Sequence, residues 1–210
     1  GNRLLVFARK PAPVQATWLA YMNTTGLATM DYRITDRFAD PVGEADQLHS
    51  EKLHRLPASQ WCYAPPASTP APARLPALSN GYLTFGSFNA FTKVNTAALQ
   101  LWGHILTTLT DARLLIMGVA PGQAQAQVVA FFAALGMGPE RVSTRPFTVL
   151  EHYFAAYNQV DIALDTFPYS GGTTTCDGFW MGVPVITMPG RTSASRSSTS
   201  LLANLGLDQF

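Results

Sequence analysis

Pro168-Tyr-Ser-Gly-Gly-Thr-Thr-Thr-Cys-Asp177 is flanked by two apolar runs, Val160–Asp165 before it and Val183–Met188 after Gly178-Phe-Trp-Met-Gly182. Strand, glycine-and-threonine turn, short helix and strand make one βαβ unit. A helix opening at Thr173 would aim unpaired N–H groups, and the positive end of its dipole, at whatever fills the Gly171-Gly172 turn. Two glycines let that occupant approach the main chain, and three hydroxyls could add hydrogen bonds. An anion such as a phosphate fits this description. A plain turn with threonines capping a helix fits it too, because short glycine motifs also occur by chance.

Regular βα alternation surrounds the unit. Strands are expected at Tyr82–Phe85, Arg113–Met117 and Val142–Arg145, and helices from Asn95, a good N-cap, to Leu109, at Gln123–Leu135 and at Val149–Asn158. A last helix is expected at Ser195–Leu205. Such repetition predicts a parallel sheet covered by helices on both faces, with ligands bound beyond the carboxyl ends of its strands. The turns after Phe85, Arg145 and Asp165 then share one rim.

Ala64–Asn80 carries Pro65, Pro66, Pro70, Pro72 and Pro76 and reads as a stiff, extended linker. It divides the chain into residues 1–63, 64–80 and 81–210. In the first part a helix is expected at Arg3–Arg9 with Asn2 as its cap, followed by strands at Val14–Tyr21, Met30–Thr35 and Trp61–Tyr63. The spacing of Ala45, Leu48, Leu53 and Leu56 predicts an amphipathic helix over Glu44–Leu56. His49 and His54, five residues apart, are poorly spaced to share a metal and read as solvated helix residues; no metal site is expected.

A net charge of +1 gives no electrostatic case for nucleic acid or an anionic membrane. No apolar run is long enough to span a bilayer. Cys62 and Cys176 lack metal-ligand spacing and are expected as reduced, buried thiols of a cytoplasmic protein. The chain begins without methionine and reads as a fragment of a longer protein.

Asp165-Thr-Phe-Pro-Tyr-Ser-Gly-Gly-Thr-Thr-Thr-Cys-Asp177, Trp180-Met-Gly-Val-Pro184 and Thr187-Met-Pro-Gly190 resemble the donor-site region of the O-linked N-acetylglucosamine transferase family, glycosyltransferase family 41. This family includes the plant SPINDLY-like proteins and many bacterial members. Pro11-Ala-Pro-Val-Gln15, Trp18-Leu19, Thr24-Thr-Gly26, Met30-Asp-Tyr-Arg-Ile-Thr-Asp36, Ser50-Glu-Lys-Leu53 and Phe85-Gly-Ser-Phe-Asn89 with Lys93 extend the resemblance over nearly the whole chain.

The resemblance implies a GT-B-type, Rossmann-like parallel-sheet domain preceded by the end of a second Rossmann-like domain. It implies inverting, metal-independent transfer from a nucleotide-sugar, UDP-N-acetylglucosamine or GDP-fucose, to Ser or Thr of a protein acceptor. The sequence lacks the Asp-x-Asp pattern of metal-dependent sugar transfer, which agrees, and no cofactor is called for. Lys93 would meet the donor phosphates and take up the leaving charge, with Gly171, Gly172, Thr173 and Thr174 supplying the turn and N–H groups. Asp177 would hold the ribose hydroxyls and His152 or Tyr153 would cover the base, the motif spacing leaning to Tyr153. Leu19, Ala20 and Tyr21 would come from the first domain.

The family pattern is departed from at Ala20, Ala90 and Met117. The tetratricopeptide repeats and closing helices of the family are not in this stretch, so the fragment alone is expected to be inactive. Two alternatives share the fold. One is a diverged, non-catalytic module that binds a nucleotide-sugar or a protein; the other is a sugar 2-epimerase, which would need a carboxylate acid/base pair that the sequence does not offer.

Overall fold

Arg113–Met117 shows how the larger sheet is built. Leu114 and Ile116 are buried in one apolar cluster, Leu115 and Met117 in another, so both faces of the strand are covered. The computed structural model describes residues 3–19 and 21–209. Among these, the chain folds as two compact units. One contains the described residues up to Tyr63 together with Pro168–Ser170 and the described residues from Met188 onward. The other contains Ala64–Phe167 and Gly171–Thr187.

The elements in chain order are α1 (Leu4–Ala8), β1 (Ala16–Thr17), β2 (Tyr32–Asp36), β3 (Lys52–Leu56), α2 (Ala77–Asn80), β4 (Thr84–Ser87), α3 (Thr96–Thr108), β5 (Arg113–Met117), α4 (Gln123–Ala133), β6 (Val142–Arg145), α5 (Leu150–Tyr157), β7 (Ile162–Leu164), α6 (Thr173–Trp180), β8 (Val185–Ile186) and α7 (Ser197–Asn204). Short 3-10 turns lie at Ala45–Leu48, Phe91–Lys93 and Ser193–Ser195.

The second unit holds a parallel sheet of order β6-β5-β4-β7-β8. The chain runs outward from β4 through β5 to β6, then returns to the other side of β4 for β7 and β8. The order therefore reverses at β4/β7, which makes the carboxyl ends of these two strands the topological switch point. On one face α3 and α4 bury Ala98, Trp102, Leu106, Val128 and Phe132 against Phe85, Leu114, Ile116 and Leu164. On the other, Phe154 and Tyr157 of α5 pack with Met181, Val183, Leu115 and Ala163. Each such large side chain contributes about 1.5–3 kcal/mol through burial.

Asn95 caps α3 as its sequence position predicts, its Oδ1 accepting from Ala98 N at 2.9 Å. The Pro-rich run is extended up to α2 but is tied into this unit. Asn158 donates to Ala71 O at 3.1 Å and accepts from Ala73 N at 2.8 Å, and Asp161 accepts from both Ala77 N and Thr84 N at 2.8 Å.

The first unit holds a three-stranded parallel sheet with β2 between β1 and β3. Beneath it the fully buried Arg33 donates to Tyr21 O at 2.8 Å, Asn23 O at 3.0 Å and Ser193 Oγ at 3.1 Å. Asp36, at the end of β2, accepts from Phe38 N, Ala39 N, Gln60 N and Ser200 Oγ.

The helix expected over Glu44–Leu56 is instead a 3-10 turn followed by β3. Lys52–Leu56 pairs residue for residue with Tyr32–Asp36, and the ladder bonds offered by β2 override a spacing that also fits a helix. Val14–Tyr21 forms a strand only at Ala16–Thr17, and Trp61–Tyr63 forms none. The expected last helix is broken at Arg196, where φ is −124°, into a 3-10 turn and α7. His49 is not solvated. Its side chain is 1% exposed, with Nδ1 2.8 Å from Ala45 O and Nε2 3.7 Å from Asp40 Oδ1. Cys176 is buried as expected, whereas Cys62 is exposed. The expected cap Asn2 lies outside the described residues.

Candidate functional site

Two segments leave the sheet at the switch point. After β4 the chain gives Phe88 and Asn89, both buried, then the 3-10 turn that ends on Lys93. After β7 it gives Asp165, 7% exposed, and the loop that enters α6 through Gly171 and Gly172. Asn95 joins them, its Nδ2 donating to Phe167 O at 2.6 Å.

Asp165 is the centre of this rim. Its Oδ1 accepts from Asn89 Nδ2 at 3.0 Å, Thr166 N at 2.8 Å and Gly171 N at 2.7 Å, and its Oδ2 from Thr187 Oγ1 at 2.7 Å. Lys93 feels the same carboxylate. Burial pushes its ammonium below the ordinary lysine value, and Asp165 pulls it part of the way back.

Gly171 is required by close approach: a Cβ there would run into Thr175 Oγ1 and come within 3.1 Å of both Asn89 Oδ1 and Asp165 Oδ1. The first α6 carbonyl bonds are Gly172 O to Thr175 N and Cys176 N, each 3.0 Å. The N–H groups of Thr173 and Thr174 have no partner among the described residues and form the positive end of the helix.

Of the three hydroxyls, that of Thr173 is exposed, that of Thr174 donates to Asn89 Oδ1 at 2.9 Å, and Thr175 is buried. The turn therefore presents main-chain donors and one exposed hydroxyl rather than three.

One turn into α6, Asp177 is 6% exposed and its Oδ2 accepts from Tyr153 OH at 2.9 Å. Tyr153 and Tyr157 hydroxyls lie 3.0 Å apart, and Tyr157 OH donates to Thr174 O at 2.9 Å. Phe88 stacks on Tyr157 at 3.6 Å and meets Tyr153 edge-on at 5.9 Å. Tyr153 is thus built into an aromatic cluster that steadies Asp177, and His152 is the exposed ring of the pair.

The structure brings Lys93, Gly171, Gly172, Thr173, Thr174, Asp177 and Tyr153 to the second unit's rim. Leu19 and Tyr21 belong to the first unit: Leu19 has φ of 57°, and Tyr21 is 54% exposed. Ala20 lies outside the described residues. Sequence reasoning did not single out Asn89, Asp165 or Tyr157 as site residues. The available signal was a carboxylate at the end of an apolar run, six residues before the first glycine.

The parallel sheet with its switch point beside the amino end of α6 is an α/β arrangement matching the GT-B-type catalytic domain of a solved O-GlcNAc transferase. The chain belongs to glycosyl transferase family 41, whose sequence profile matches residues 1–63 and 72–210. It is 44% identical over 212 residues to the Solanum lycopersicum protein named "Probable UDP-N-acetylglucosamine--peptide N-acetylglucosaminyltransferase SPINDLY", covering 100% of this chain and 23% of that protein. The Oryza sativa SPINDLY is also 44% identical, over 100% of this chain and 23% of that protein.

Among solved structures, the Thermobaculum terrenum O-GlcNAc transferase mutant K341M superposes with a TM-score of 0.89 at 38% identity, over 99% of this chain and 39% of that one. The sucrose-phosphate synthase of Thermosynechococcus elongatus, TM-score 0.53 and 12% identity over 74% of this chain and 40% of that one, shares the fold alone. The chain thus spans less than a quarter of the plant relatives. No helix among the described residues is long and apolar enough to cross a membrane.

Proposed function

We propose that this chain is the donor-binding part of an inverting, metal-independent protein O-glycosyltransferase that moves N-acetylglucosamine from UDP-N-acetylglucosamine to Ser or Thr of a protein acceptor. The observation that carries the reading is the Gly171–Thr174 turn bonded to Asp165 at the switch point, beside the segment after β4 that ends on Lys93. The names of the plant relatives support the choice of donor and of a peptide acceptor.

In this reading the donor diphosphate lies against the N–H groups of Thr173 and Thr174. The acceptor hydroxyl attacks the anomeric carbon, the bond from that carbon to the diphosphate oxygen breaks, and the hydroxyl proton is released. Lys93 and the α6 amino end stabilise the charge that develops on the leaving diphosphate. Asp177, steadied by Tyr153, faces the ribose, and His152 offers the exposed ring for the base. In this reading the intact protein carries tetratricopeptide repeats and works in the cytoplasm, in keeping with the two unpaired cysteines of this stretch.

The experiment is a pair of measurements on the intact protein. Titration with UDP and GDP identifies the base: UDP is expected to bind more tightly, and a GDP preference would redirect the reading to GDP-fucose. Incubation with labelled donor and cell lysate is expected to leave label on protein. Donor that is bound but stays intact would instead favour the non-catalytic module, to which the sequence departures Ala20 and Ala90 point.

A further inference from the structure

Asp165 and Asn89 contact no residue by accident of surface packing: both are buried, at 7% and 6% exposure, and their hydrogen bonds have only one consistent direction. A carboxylate accepts and an amide does both. Asn89 must therefore turn its Nδ2 to Asp165, at 3.0 Å, which leaves its Oδ1 facing Thr174 Oγ1 at 2.9 Å. The hydroxyl of Thr174 then donates to Asn89. The same Asp165 oxygen accepts from Gly171 N at 2.7 Å, and Thr187 Oγ1 steadies the other at 2.7 Å. Gly171 cannot carry a Cβ without striking this set.

We infer that Asp165 is a positioning residue for the donor diphosphate, acting through Asn89 to commit the Thr174 proton and through Gly171 N to hold the turn, so that the ligand meets main-chain N–H groups. The inference rests on the reading of this rim as a diphosphate site. It adds a reason why a buried carboxylate lies under an anion-binding turn. Its negative charge is occupied by inward-pointing donors, and the N–H groups of Thr173 and Thr174 are left to the ligand.

The test uses the intact protein with UDP as probe and donor turnover as a second readout. Asp165→Asn keeps the shape but loses the fixed polarity. It is expected to weaken UDP binding and raise the donor KM by about 10–100-fold, the range for a hydrogen bond to a charge, with a smaller effect on kcat.

Should that variant fail to fold, Asn89→Ala and Thr174→Val decide without any change of charge. Each is expected to raise the donor KM, the double variant no more than the worse single one, and Thr174→Ser to restore it. Fully additive effects, or a Thr174→Val donor KM equal to that of the unsubstituted protein, overturn the inference. If the unsubstituted protein binds no nucleoside diphosphate, the functional reading falls and this inference with it. If it binds and the variants behave identically to it, only the positioning role falls.

Discussion

Lys93 is a charge whose environment pulls in two directions, burial lowering its pKa and Asp165 raising it. An ammonium held in that balance suits a group that must neutralise a leaving diphosphate. Lys93→Ala is expected to lower kcat by roughly 10²–10³-fold with folding intact, the loss typical of one transition-state charge partner; steady-state kinetics with labelled donor check it, and unchanged turnover would remove Lys93 from the chemistry. Cys176 offers a contrast. Burial, then the neighbouring Asp177 charge, pushes its thiol up to about 12, while Cys62 is exposed. Iodoacetamide at neutral pH should label Cys62 and spare Cys176 in the native protein, as read by mass spectrometry of the peptides. Thr173 and Thr174 were singled out from a short glycine-and-threonine motif, and Lys93 from the family resemblance. Asn89 and Asp165 were not, because their pairing spans 76 residues and exists only once β4 and β7 are neighbours.

The βα elements of the second unit could be read from runs of apolar residues and from caps. β5 and β6 coincide with their expected ranges, and α3 begins where Asn95 predicts. Asn95 does more than cap, since its amide also reaches Phe167 O. Asn95→Ala should therefore cost about 1 kcal/mol or somewhat more in a urea titration, and no shift in the midpoint would show that the cap is dispensable. β3 was misread for a physical reason. Leu53 and Leu56 are three apart, which fits a helical face, and only the partner strand β2 decides for extended backbone. α7 was expected to be one longer helix because nothing local marks the break at Arg196, whose Nε donates to Phe38 O at 2.9 Å.

At the scale of the whole molecule, three carboxylates of the first unit, Asp31, Asp46 and Glu51, have a lowered pKa. The Lys10 ammonium and Gln15 N do this for Asp31, and Gly43 N and Arg55 for Asp46. Burial opposes the charged form of Glu51, but Thr25 and Thr24 more than offset it and leave its pKa low. Groups with depressed folded values stabilise the fold above their unfolded values, 3.8 for Asp and 4.5 for Glu, and lose that contribution as pH falls through the folded ones. Hydrogen exchange on acidification below about pH 4.5 should therefore show amides of the first unit losing protection before those of the second. Simultaneous loss would mean that these carboxylates do not set the acid limit, and Glu51→Gln should flatten the first unit's response. The bond from Ser200 to Asp36, across 164 residues, has a practical corollary for anyone cutting the gene. A reading frame stopped after Tyr63 would discard Ser193 and Ser200, taking one hydrogen-bond partner from the buried Arg33 guanidinium and one from the buried Asp36 carboxylate. A minimal version of that half would have to be a spliced polypeptide, with the codons for the last helix grafted behind the first 63.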